Sequence, residues 1–80
     1  VAQSETFEIG GYYCTCRVAK GEAGWKASVV FERKSDFDAE VTQIPAICHK
    51  IKAPFESASA AMGAARTLAS EAVENGSTGL

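Results

Sequence analysis

Eighty residues, 46% of them hydrophobic and 22% charged, with a net charge of −2, make one small folded domain with no room for a second. A chain this short buries only roughly 60% of its unfolded surface, so modest stability is expected. Eight basic residues against ten acidic ones argue against a dedicated nucleic-acid binder, whose affinity comes from a basic excess.

Along the chain, residues 1–4 read as a free end. From Glu5 to Ala19 the residues are β-branched, aromatic and alternating, which predicts a strand. Gly10-Gly11 interrupts it, and paired glycines inside a strand suggest a bulge or bend. The strand proper is then Tyr12 to Ala19. "KGEAG", Lys20 to Gly24, predicts a hairpin loop of about five residues. "WKASVVFER", Trp25 to Arg33, is the clearest strand. "KSDFDAE", Lys34 to Glu40, reads as a polar loop carrying Phe37. A third strand is expected over Val41 to Lys52, with Pro45 at an edge or a break because it has no N–H to donate.

Beyond Pro54 alanine dominates, and helix propensity predicts a helix from about Ser57 to Asn75. Ala58, Ala61, Met62, Ala65, Leu68, Ala69, Ala72 and Val73 recur at helical spacing and form its apolar stripe. Ser57 is the expected N-cap and Asn75-Gly76 the expected stop. The fold class expected is therefore α+β: a three-stranded antiparallel meander with one C-terminal helix on one face, β-β-β-α. It is expected to be a single domain over 1–80, with 1–4 and 76–80 as flexible ends.

Side chains alternate along a strand. Tyr12, Cys14, Cys16 and Val18 should share the helix-facing side with Trp25, Ala27, Val29 and Phe31. Ile47, His49 and Ile51 should join them, leaving Cys48 on the open side. The open face should then show Tyr13, Arg17, Lys26, Val30, Lys50 and Lys52, a local basic excess with some apolar content. An antiparallel sheet often has one plainly solvated face. The functional alternative is a docking surface at these six residues.

The three cysteines and the single histidine raise a metal or thiol site at Cys14, Cys16, Cys48 and His49. Three thiolates and an imidazole are a legitimate zinc set. However, structural zinc favours two to four residues between cysteines on a tight knuckle, and here Cys14 and Cys16 lie within a strand. Their Cβ atoms would be about 6.6 Å apart, from two rises of ~3.3 Å, and a disulfide needs about 3.8 Å. Cys48 and His49 point to opposite faces. Buried free cysteine behaves as a small hydrophobe, which is the expected state of Cys14 and Cys16. "DFDAE" opens like a calcium loop, but Val41 stands where such a loop needs glycine, and Ile47 where it needs glutamate. No phosphate loop, dinucleotide fingerprint or hydrolase elbow is present. No metal, cofactor or enzymatic activity is expected.

Three parts of the chain carry a resemblance: "GYYCTCRVA", "GWKASVVFER" and "PFESASAAMGAARTLASEAV". Together they resemble small uncharacterised proteobacterial proteins with a β-β-β-α plan. The plan is also similar to the β-β-β-α part of double-stranded-RNA-binding domains, without that family's first helix. That family opens its last helix with a basic run. The matching stretch here, "ESASAAMGAAR", holds one arginine. The first resemblance implies no assigned activity, and the second implies RNA binding only by analogy of fold.

The expected function is that of a non-enzymatic protein-interaction module acting through the open sheet face or an edge strand, with an unknown protein or a second copy as partner. The alternative is a weak nucleic-acid-binding module using Arg17, Lys26, Lys50 and Lys52. Sheet platforms for single strands stack bases on two or three aromatics, and Tyr13 alone qualifies. No apolar run approaches the roughly 20 residues of a membrane span. Free thiols suit a reducing compartment, so a cytoplasmic location is expected. The chain opens at Val1 rather than at methionine, which leaves room for a removed leader.

Overall fold

Two left-handed glycines set the architecture. In the computed structural model, which describes residues 2–80, Gly10 and Gly11 have φ of 53° and 86°. Positive φ at both central residues makes the two-residue turn whose twist matches a hairpin. The glycine pair is thus a full chain reversal, where a bend within one strand was expected. It separates β1 (Ala2–Ile9) from β2 (Tyr12–Gly21), paired antiparallel from Ala2↔Ala19 to Ile9↔Tyr12. A Cβ on Gly10 would also stand 2.8 Å from Val73 Cγ1 of the helix, so the turn needs glycine for space as well.

The expected three-stranded meander is therefore corrected to a four-stranded antiparallel sheet in the order β1-β2-β3-β4. β3 runs from Gly24 to Arg33 and β4 from Ala46 to Phe55. The β2–β3 connection is tighter than expected, because pairing continues to Gly21↔Gly24 and leaves only Glu22 and Ala23 in the turn. The acidic segment after β3 is a short helix, α1 (Lys34–Asp38), where a loop was expected. Arg33 braces it by an ion pair to Asp36 at 2.9 Å. β4 begins after Pro45, five residues later than expected at Val41 and three residues longer at its far end. Pro54 lies near that end, where residues 52–54 of β4 stand against Lys26 alone between the pairs Ala27↔Ile51 and Trp25↔Phe55. Proline fits there because an edge bulge needs no ladder donor.

The C-terminal helix, α2 (Ala58–Asn75), matches its sequence signals closely. Ser57 Oγ accepts from the Ala60 amide at 3.1 Å. Gly76 closes the other end in the left-handed conformation, and the Ser77 amide donates to the Ala72 carbonyl at 2.8 Å. The core lies between α2 and the sheet. Cys14, Cys16, Val18, Ala27, Val29 and Phe31 come from β2 and β3, and Ala61, Met62, Ala65, Ala69 and Ala72 come from α2. The small alanine face lets the helix lie close, so the larger side chains come from the strands.

Residues near both ends of the described chain engage the rest of the fold. Of residues 1–4, Val1 lies outside the described residues, and Ala2, Gln3 and Ser4 pair with Ala19, Val18 and Arg17. At the other end Thr78 is buried, and its carbonyl accepts from His49 Nε2 at 2.9 Å. Residues after α2 thus turn back beneath β4 and cover the part of its inner face around His49.

Candidate interaction surface

The open face is built from rungs of directly paired residues. One rung reads Ser4–Arg17–Ser28–Lys50 across all four strands. The next toward the bulge holds Ala2, Ala19 and Lys26. Toward the other end come Thr6–Thr15–Val30–Cys48 and then Glu8–Tyr13–Glu32–Ala46. Strand parity places five of the six sequence-nominated residues, Tyr13, Arg17, Lys26, Val30 and Lys50, on this face, because directly opposed residues share a face, while Lys52 lies in the bulge and has no register partner.

The structure divides those six into two groups. Arg17, Lys26, Lys50 and Lys52 line a concavity of about 730 Å³, together with Ser4 and Ser28. Arg17 and Lys50 flank Ser28 across the sheet, with Cα atoms about 10 Å apart from two strand spacings. Lys26 lies two residues from Ser28 along β3, about 7 Å away. Lys52 sits at the bulge, just beyond Lys50. Tyr13 and Val30 lie outside this concavity. Tyr13 stands at the opposite end, with the Phe37 ring of α1 edge-on to it at 5.1 Å between centroids. Val30 is half-buried in the middle rung between Thr15 and Cys48.

Ion pairing sets the four cations of the concavity apart from Arg33, Lys34 and Arg66. Lys34 bonds Glu8 at 3.4 Å, and Arg66 grips the Glu5 carboxylate. These acidic partners hold the Lys34 and Arg66 pKa values above their usual range, chiefly through the hydrogen bonds to Glu8 and Glu5. Arg33 pairs with Asp36. Among the described residues, none of Arg17, Lys26, Lys50 and Lys52 has an ion-pair partner. All four are exposed. A chain of net charge −2 therefore gathers four uncompensated cations in one concavity.

The thiol and metal candidates do not converge. Cys14 and Cys16 are wholly buried beneath α2. Burial, and then the neighbouring Cys16, push the Cys14 thiol up to about 11. Burial likewise raises Cys16, against the Arg66 charge, which acts to lower it. Both thiols are thus protonated and unreactive near neutral pH. Cys48 is on the opposite face and exposed. His49 lies on the inner side, edge-on to Phe31 at 5.1 Å, with Nε2 committed to Thr78. Among the described residues no cluster of three or more metal-ligating side chains forms, and no helix is long and apolar enough to cross a membrane.

Sequence reasoning missed two contributors. Ser4 enters the concavity because β1 is a strand, and the signal was the Gly-Gly turn. Phe37 covers Tyr13 because α1 folds back over that end of the sheet, a placement with no local sequence signal. Comparison of the chain with protein-family models, with characterised proteins and with solved structures finds no match in any of the three.

Proposed function

We propose that this chain is a non-enzymatic binding module whose open sheet face docks an acidic segment of a partner protein. The observation that carries this reading is the concavity around Ser28, lined by four exposed cations that have no ion-pair partner among the described residues. Clustered like charges repel one another, and a carboxylate-rich ligand relieves that repulsion while forming charge-assisted hydrogen bonds. The chemistry of the lining favours binding over catalysis. It holds no histidine and no carboxylate, the side chains that most often carry acid–base catalysis near neutral pH.

An acidic protein segment fits better than nucleic acid for two reasons. The net charge of −2 repels a long polyanion as a whole. Tyr13, the one aromatic nominated for base stacking, is covered edge-on by Phe37 and lies at the far end from the cations. Nucleic acid remains the second reading, because phosphates would meet the same four cations.

A titration followed by amide NMR tests this. A glutamate-rich peptide at low salt should shift the amides of Arg17, Lys26, Ser28 and Lys50, and added salt should reverse the shifts. The double variant R17E/K50E should lose the response while keeping its circular dichroism. An unresponsive sheet would sink the proposal. A stronger response to a single-stranded oligonucleotide than to the peptide would move the function to the second reading.

A further inference from the structure

The sheet has two edges, and they are built differently. β4 carries the devices that keep an edge from pairing with another chain: Pro54, a bulge at residues 52–54, and two lysines, Lys50 and Lys52. β1 carries none of them. Its sequence, AQSETFEI, has no proline and no lysine, and its register against β2 is unbroken from Ala2 to Ile9. Among the described residues, no backbone hydrogen bond from a loop or turn reaches β1. Its outer rim therefore presents a row of unpaired N–H and C=O groups.

Two acidic residues on β1 could guard such a rim by repulsion. Both are already neutralised within their own chain, Glu5 by Arg66 and Glu8 by Lys34. On the inner side, Phe7 and Ile9 remain half-buried at the margin of the core, and a further strand alongside would cover them.

We propose that β1 is a self-association edge, along which two copies of this chain pair antiparallel into one eight-stranded sheet. This is independent of the acidic-partner reading, because it uses the rim of β1 and not the cations. Symmetry restricts the register. A two-fold axis perpendicular to the sheet keeps inner faces on one side, so each residue must oppose a residue of the same parity. Centring the axis on Glu5 sets two glutamates directly opposite, which is unfavourable. Centring it on Thr6 pairs Gln3–Ile9 of both copies with no like charges opposed: Thr6 with Thr6, Ser4 with Glu8, Glu5 with Phe7, and Gln3 with Ile9. Both α2 helices then lie on one side of the sheet, and both basic concavities open on the other.

Sedimentation equilibrium of the full chain tests the association. The expected mass is twice the 8.4 kDa of one chain at high concentration, falling to one chain on dilution. Thr6→Lys sets two cations opposite each other at the axis. It should weaken the dimer by about tenfold or more, equivalent to about 1.4 kcal/mol, with unchanged circular dichroism. In a Cys48→Ser background, Thr6→Cys should form an interchain disulfide on mild oxidation, since opposed Cα atoms stand about 4.5–5.5 Å apart. Glu8→Cys in that background should not, as the two substituted positions would be about 13 Å apart along the strands. A wild-type chain that stays monomeric at millimolar concentration overturns the proposal. So does a dimer that Thr6→Lys leaves intact, or one that crosslinks through Glu8→Cys and not Thr6→Cys.

Discussion

On the helix-covered face of the sheet, Cys14, Cys16, Val18, Val29 and Phe31 are sealed beneath α2. On the open face, the alternate residues of the same strands leave Arg17, Lys26 and Lys50 exposed and, among the described residues, without ionic partners. Adjacent residues of one strand thus meet opposite surroundings. The inner residues hold the fold together by burial. The outer cations contribute little to it and are free to meet a ligand. Stability and binding should therefore separate cleanly by parity along β2, β3 and β4.

The largest test of that separation is Phe31→Ala. Phe31 is a large, fully buried side chain, and its truncation should cost about 3–5 kcal/mol, enough to unfold much of a domain this small. Urea denaturation measures it, and a cost below about 1 kcal/mol would mean that the inner face does not hold the fold.

The second test is alkaline. A thiol whose pKa is raised in the native state keeps its proton to higher pH than in the unfolded chain. Its contribution is intact below the ordinary value of 9.0 and is lost as pH rises toward about 11. Two pH units correspond to about 3 kcal/mol at most. Melting temperature should fall across that window, and Cys14→Ala should flatten the fall.

Smaller effects sharpen the picture. Ser57→Ala removes the side-chain cap of α2 and should cost about 1 kcal/mol, read from the denaturation midpoint. On the open face, Arg17→Ala and Lys50→Ala should each change stability by no more than about 0.5 kcal/mol, while weakening the salt-sensitive response to an acidic peptide. A large stability loss from either would break the division between the faces.

Much of this was legible in the residues themselves. The helix bounds followed from Ser57, the alanine spacing and Gly76, because helix signals are local. The inward row of β2 and the outward position of Arg17 followed from alternation. The strand count did not follow. β1 lies at the sheet edge, where α2 covers little of it, so its inner side needs few apolar residues. Gln3 and Glu5 occupy two of those inner positions, and only Phe7 and Ile9 carry the apolar alternation. Residues 77–80 have no periodicity at all, and their place beneath β4 depends on His49, 29 residues before Thr78.

By itself the sequence determined which residues alternate, where α2 starts and stops, and that Cys14 and Cys16 are small apolar fillers and not a ligand pair. These properties depend on neighbours two to four positions away. The tertiary structure alone decided that Glu5 and Glu8 neutralise Arg66 and Lys34. It also decided that Phe37 covers Tyr13, while among the described residues four cations around Ser28 have no ion-pair partner. Each of those outcomes rests on side chains brought together from distant parts of the chain, and such encounters are set by packing and strand order, which local residue pattern does not encode.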